Sequence, residues 1–129
     1  MKIHTLANGS KLVHLSKHKF RFSDGTEAEP QDSALVDTFT LKKDFQVVKQ
    51  INGMNLTRTK MVLTKEQATK LYEIACKVDI LLLPFQLLQA SSDFGFYHCN
   101  NMVAFNSTPE TARSSPDEKI VDINNWSVI

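Results

Sequence analysis

The residues best suited to chemistry lie in a long polar stretch, residues 106–119, which has no hydrophobic periodicity. Thr108-Pro109-Glu110 is a helix-start pattern, and the free N–H groups of a helix start can face an anion. Arg113 adds a cation suited to phosphate. Hydroxyl groups accompany it at Ser107, Thr108, Ser114 and Ser115. The stretch therefore indicates a phosphate cradle, with a capped surface loop as the alternative.

Residues arranged for catalysis are scarce. The serines near His98 and Asp117 are not set in a nucleophile elbow. Asp117 and Glu118 are adjacent and diverge if the chain is extended. The four glycines are scattered in turns, which leaves neither a Walker loop nor a dinucleotide fingerprint. The sequence therefore favours a binding protein without catalytic residues or a cofactor over an enzyme.

Metal ligation is also weakly supported. His4, His14 and His18 are separated by ten and four residues on different predicted strands, with no acidic or cysteine partner to complete a site. The two cysteines, Cys76 and Cys99, are far apart in the chain. We expect no metal site, and we expect Cys76 to be a buried thiol on the apolar side of its helix.

Size and charge narrow the classes of function. A chain of 129 residues predicts one domain, residues 1–129, close to the size at which oligomerisation adds useful burial. The formal net charge of +1 gives no support for a face that binds nucleic acid. No apolar run is long enough to span a bilayer, and the N-terminus leads into a strand rather than a signal peptide. We expect a soluble protein in a reducing compartment.

Two helices are predicted in the middle of the chain. Thr64 and Gln67 form a capping-box pattern, and apolar residues then recur with helical spacing. These are Ala68, Leu71, Tyr72, Ala75 and Val78. After the apolar run of residues 80–83, Pro84 predicts the first turn of a second helix. Its apolar side is expected to comprise Phe85, Leu87 and Leu88.

Strands are predicted on both sides of these helices. Turns at Asn8-Gly9 and Asp24-Gly25 divide the first 27 residues into three short antiparallel strands. Residues 27–33 form a predicted loop, and residues 34–36 and 38–41 are strand-like. Hairpin turns are predicted at Asn52-Gly53 and at Asn100-Asn101. Arg58, in the second arm of the middle hairpin, is expected to be an edge arginine rather than an anion ligand.

Together these elements predict an α+β fold. It comprises an N-terminal antiparallel sheet, two central helices and small C-terminal antiparallel strands. Phe96 and Trp126 are candidates for a subunit contact, because large aromatic side chains are enriched at interfaces.

The order of several motifs resembles a known family. Phe-x-Phe-Ser-Asp-Gly at 20–25 is followed by Leu-Thr-x-Glu-Gln at 63–67 and by Val-Asp-Ile to Leu-Pro-Phe at 78–85. Residues 104–119 and a final Val-Asp-Ile complete the pattern. The chain resembles the first family of phage anti-Thoeris sponges, which sequester cyclic ADP-ribose-type messengers. The resemblance implies a non-enzymatic homo-oligomer, a dimer or hexamer, in the bacterial host cytoplasm; some members also bind cyclic oligonucleotides.

The resemblance also implies a set of ligand-binding residues. Phe85 corresponds to the aromatic that stacks on a base, and Arg113 to the phosphate ligand. The amide that contacts the base edge is one of Asn100, Asn101 and Asn106, and Thr108 belongs to the same site. The family pattern has a second arginine one turn further on, where this chain has Asp117, so Lys119 or Arg58 from a neighbouring subunit would have to replace it, since the resemblance implies a messenger held between subunits.

Two other classes of function stay open from the sequence. One is a phosphodiesterase or nuclease that acts on cyclic nucleotides, and the other is a structural or interaction module of a phage.

Overall fold

The computed structural model describes residues 1–95, 97–105 and 126–128, together with the backbone of residues 118–121. Helices and strands are mixed along the chain, which confirms the predicted α+β class. The helices are α1 (Ser33–Thr38), α2 (Lys65–Ala75) and α3 (Phe85–Phe94). The strands are β1 (His4–Thr5), β2 (Lys11–His14), β3 (Lys19–Phe22), β4 (Glu27–Ala28), β5 (Lys42–Ile51), β6 (Met54–Val62), β7 (Ile80–Leu82), β8 (Met102–Phe105), β9 (Glu118–Val121) and β10 (Trp126–Ser127).

The main sheet has the strand order β1-β2-β7-β8-β10. Its central strands β2, β7 and β8 run parallel, and its outer strands pair antiparallel. Leu81 belongs to the core on one face of this sheet and Leu82 to the core on the other. Because both faces are covered, the central strand is a continuous apolar run instead of an alternating one.

The two N-terminal hairpin turns are confirmed, but the third strand lies in a different sheet from the first two. β1 pairs with β2, whereas β3 pairs with β4 and, in parallel, with β9. β2 has β1 on one edge and β7 on the other, so neither edge is open to β3. Phe20 and Phe22 of β3 instead pack over the main sheet in the second core.

Three predictions for residues 27–41 are wrong, and one of them is the strand at 38–41, because Thr38 ends a helix and the next strand begins at Lys42. β4 occupies the start of the predicted loop, and α1 replaces the predicted strand at 34–36. α1 has only six residues, too few to show helical periodicity in the sequence. The buried ring of Phe39 anchors its end, while the hydroxyl of Thr38 donates to the carbonyl of Ala34 at 2.9 Å.

The capping box of α2 is present. The backbone N–H of Gln67 donates to Thr64 Oγ1 at 3.2 Å, and that of Thr64 donates to Gln67 Oε1 at 2.9 Å. The predicted apolar face is wrong at two positions. Tyr72 is 42% exposed and contacts Tyr97 edge-on, and Cys76 is exposed instead of buried.

The predicted turn at Asn100-Asn101 is present, and β8 follows it directly. Residues 97–99 are not a strand, so the turn does not close a hairpin. Trp126 is half-buried against Phe22 at 6.3 Å between ring centroids. Phe96 lies outside the described residues.

The hairpin of β5 and β6 is confirmed and forms a two-stranded sheet of its own. Asn52 and Gly53 both have positive φ, 51° and 79°, as a type I′ turn requires. Residues 42–60 are exposed along their whole length. The hairpin therefore extends from the body of the protein, and its C-terminal strand contacts α3.

Candidate ligand-binding cleft

A concavity lies between the β5–β6 hairpin and α3, and its volume is about 400 Å³. Its lining is mainly polar. The lining residues are Gln46, Arg58, Thr59, Lys60, Met61, Gln86, Gln89, Ala90 and Asp93. This volume falls in the range of small-molecule pockets, roughly 300–1,000 Å³.

Strand and helix periodicities bring the polar groups of the cleft together. Arg58 and Lys60 are two residues apart on β6 and share one face of the hairpin, and Gln46 is the cross-strand partner of Arg58. On α3, Gln86, Gln89 and Asp93 fall on one side of the helix. The opposite side of α3 holds the buried Leu87, Leu88 and Ser91.

One ion pair joins the two walls of the cleft. Lys60 Nζ lies 3.7 Å from Asp93 Oδ2, and both side chains are partly exposed. Such a pair stabilises a fold by less than about 1 kcal/mol, although it can still fix the spacing of two elements. Among the described residues, no acidic side chain forms a salt bridge with Arg58. Arg58 is therefore the cation of this cleft that is available to an anion.

Phe85 is next to the cleft residue Gln86 in the chain but does not itself line the cleft. It is the first residue of α3 and is 57% exposed, which contradicts its predicted place on the apolar side of the helix. Phe85 lies four residues before Gln89, so its ring is on the same helix face as the cleft residues. α3 begins at Pro84 without a side-chain cap, which leaves the N–H groups of its first turn facing outward.

Of the other predicted ligand residues, the described Asn100 and Asn101 do not line this cleft. Asn101 donates from Nδ2 to the carbonyls of Ala75 and Val78, at 2.8 and 3.0 Å, so its amide nitrogen holds the end of α2 in place. Asn100 is exposed in the adjacent turn. Lys119 is in β9, where the backbone alone is described. Asn106, Thr108 and Arg113 lie outside the described residues.

The side chains of Ser91 and His98 lie within hydrogen-bond distance of each other. Ser91 Oγ lies 3.3 Å from His98 Nδ1 and also donates to Met102 Sδ at 3.3 Å. Ser91 is only 4% exposed. A nucleophile must reach its substrate, and this hydroxyl instead packs in the core beside Met102.

His4 and His14 form a cluster in which His14 is buried and His4 is half-buried. The ring centroids of His4 and His14 lie 5.9 Å apart, and His14 Nε2 donates to the carbonyl of Glu29 at 2.7 Å. Burial lowers the pKa of His14 to about 4, and burial also lowers the pKa of His4. Among the described residues, no group of three or more His, Cys, Asp or Glu side chains is arranged to hold a metal ion.

Several cleft residues were missed by sequence reasoning. The polar spacing of Gln86, Gln89 and Asp93 along α3 was a usable signal, because it marks a helix face that is not buried. Gln46 and Lys60 carried no such signal. Their place in the cleft follows from the tertiary contact between β6 and α3.

Comparison of the chain with models of protein families, with curated proteins and with solved structures gave no match. None of the described helices has the length and apolar character needed to cross a lipid bilayer.

Proposed function

We propose that this protein binds a cyclic nucleotide messenger, such as a cyclic ADP-ribose isomer, in the cleft between the hairpin and α3. The protein sequesters the messenger without changing it chemically and so blocks a host antiphage defence, as the resemblance implies. The observation that carries the proposal is a polar cleft with Arg58 on its hairpin wall and glutamine amides on its α3 wall, together with the exposed ring of Phe85 at the start of α3.

Each part of a nucleotide has a complementary group at this site. The Phe85 ring offers a stacking surface for a base, and such stacking contributes about 1–3 kcal/mol. Arg58 offers a guanidinium for phosphate, and hydrogen bonds to a charged group contribute about 1.5–3 kcal/mol. The amides of Gln46, Gln86 and Gln89 can donate to and accept from base edges and ribose hydroxyls.

Asp93 limits the kind of ligand that fits. Its carboxylate repels phosphate, so the phosphates should lie towards Arg58 and away from the ion pair with Lys60. The aromatic ring and the cation are thus on different walls, which suits a ligand with a base at one end and phosphate at the other.

Calorimetry with cyclic ADP-ribose isomers tests this proposal. We expect Arg58→Ala and Phe85→Ala each to weaken binding by roughly 10- to 100-fold, from the contributions of a phosphate contact and a stacked base. Lys49→Ala is the matched control for the cation, because Lys49 is exposed on the same hairpin away from the cleft. Tyr72→Ala is the matched control for the aromatic ring. Equal affinity in all four variants, or no binding by the native chain, would refute the proposed site.

Two further measurements address the remaining parts of the proposal. The ligand should be recovered intact after the protein is heat-denatured, whereas recovery of a hydrolysed product would indicate a phosphodiesterase. Arg113→Ala in the same calorimetry tests whether the polar stretch 106–119 also contributes a phosphate ligand, in which case affinity should fall strongly with the fold intact. Native mass spectrometry tests the implied homo-oligomer. The proposal also places the protein in the bacterial host cytoplasm.

A further inference from the structure

The β5–β6 hairpin, residues 42–62, concentrates positive charge that the total for the chain conceals. Its charged residues are Lys42, Lys43, Lys49, Arg58 and Lys60 against Asp44, a net charge of +4. The whole chain has a formal net charge of +1, so the rest of the chain carries −3. A near-neutral total therefore does not exclude a cationic surface, and this surface is confined to one projecting element.

Most of these cations are not neutralised within the chain. Lys60 pairs with Asp93 at 3.7 Å, and Asp44 is the cross-strand partner of Lys60. Among the residues that the structure describes, no acidic side chain forms an ion pair with the other four cations. Every residue from 42 to 60 is exposed. Four positive groups along one ribbon are therefore available to an anionic partner.

The hairpin also exposes apolar and hydrogen-bonding side chains between its cations. Six large apolar residues are between 40% and 66% exposed, namely Phe45, Val47, Val48, Ile51, Met54 and Leu56. A lipid surface would be matched by an apolar tip, whereas the tip here is Asn52-Gly53, next to amides of Gln50 and Asn55 that bond to each other at 2.8 Å. The mixture suits the major groove of DNA, where base edges present hydrogen-bonding groups and the thymine methyl group.

The size of the hairpin matches one turn of B-form DNA. β5 has ten residues, and about 3.3 Å per residue gives a length of about 33 Å. Two strands about 4.8 Å apart form a ribbon about 10 Å across, and no described strand widens it on either edge. The major groove is about 12 Å wide and admits a two-stranded ribbon, and one helical turn is about 34 Å long.

We infer that the β5–β6 hairpin binds double-stranded DNA by lying in its major groove. Its unpaired cations contact the phosphates that border the groove, and its apolar side chains contact thymine methyl groups. The negative charge of the rest of the chain confines the contact to the hairpin. DNA is favoured over double-stranded RNA, because side chains cannot reach the base edges in the deep, narrow major groove of A-form RNA.

This inference does not rest on the proposed function. Lys42, Lys43 and Lys49 do not line the cleft, so the contact with phosphate has its own residues. Arg58 lines the cleft and is the fourth cation of the ribbon.

Fluorescence anisotropy of a labelled DNA duplex of about 20 base pairs, titrated with the full chain, tests the inference. Four phosphate contacts predict a slope of about 3.6 for log Kd against log salt, so the native affinity should fall roughly 150-fold between about 50 and 200 mM salt. Lys42→Gln combined with Lys43→Gln and Lys49→Gln leaves one such contact. The same change in salt should then lower the affinity only about fourfold.

Lys65→Gln combined with Lys70→Gln and Lys77→Gln is the matched control. It removes the same charge from exposed lysines in and just after α2, and it should keep the native affinity and salt dependence. All six lysines are exposed, so circular dichroism should show an unchanged fold in both variants. A native chain that does not bind the duplex at about 50 mM salt would overturn the inference. So would an equal loss in the two triple variants, because total charge and not the hairpin would then determine binding.

Replacement of thymine by uracil in the same duplex tests the placement in the major groove. Uracil lacks only the methyl group, and each contacted methyl group should contribute about fourfold to affinity. Equal Kd values for the two duplexes would overturn this placement. None of these measurements involves a nucleotide messenger, and the lysines replaced in the hairpin lie outside the cleft, so the two proposals can fail separately.

Discussion

The buried His14 should make the fold sensitive to mild acid. Burial lowers the pKa of His14 from 6.5 to about 4. Between these two values the unfolded chain holds a proton on His14 that the folded chain does not, so stability is lost as pH falls through this window. The whole shift corresponds to about 3 kcal/mol, and about 2 kcal/mol of it should be lost between pH 7 and pH 5. That is a large share of a typical stability of about 5–15 kcal/mol.

The local structure explains why the folded state resists this proton. Nε2 of His14 already donates to the Glu29 carbonyl, so a second proton would go to Nδ1, which is buried without a hydrogen-bond partner. The neighbours of the ring are His4 and the edge-on ring of Phe20. Nearby positive charge on Lys2 and on the other histidines would oppose the proton further.

Urea unfolding at pH 7 and pH 5 measures the effect. His14→Gln removes the titrating group but keeps a neutral N–H donor for the Glu29 carbonyl. The native protein should lose about 2 kcal/mol more than His14→Gln between the two pH values. His98→Gln is the control for a histidine outside the cluster. If the native protein and His14→Gln lose the same stability, the attribution to His14 is wrong.

Three smaller changes test other parts of the fold. Gln67→Ala should lower the unfolding free energy by about 1 kcal/mol or more, because Gln67 closes the capping box and also donates to the carbonyls of Thr38 and Thr40. Thermal melts measure this loss, and an unchanged melting temperature would contradict the capping role. Gly53→Ala should destabilise the β5–β6 hairpin by about 1–2 kcal/mol, because the φ of 79° is strained for alanine. Faster amide exchange across β5 and β6 is the expected result, and unchanged exchange would argue against a left-handed turn. Leu81→Ala should lower the free energy of unfolding, measured in urea, by about 2–5 kcal/mol, because Leu81 is fully buried in the larger core. A loss below about 1 kcal/mol would contradict this core position.

Local signals allowed much of the fold to be predicted. Asn-Gly and Asp-Gly turns located hairpins because only a few residue types adopt positive φ without strain. The capping box placed the start of α2 correctly for the same local reason. Pairing between distant strands could not be predicted this way. Nothing local in β2 distinguishes a strand that pairs with β3 from one that pairs with β7, and the outcome depends on the core beneath.

For the candidate site too, local sequence signals identified some residues, but their positions depend on tertiary packing. Phe85 and Arg58 were named from the sequence, yet each was expected to be a core or edge residue on general grounds. Both side chains are exposed in the structure, and the place of Arg58 in the cleft depends on the packing of β6 against α3. Asn101 shows the opposite error. A turn asparagine looks available to a ligand in the sequence, whereas its amide is occupied by two carbonyls at the end of α2.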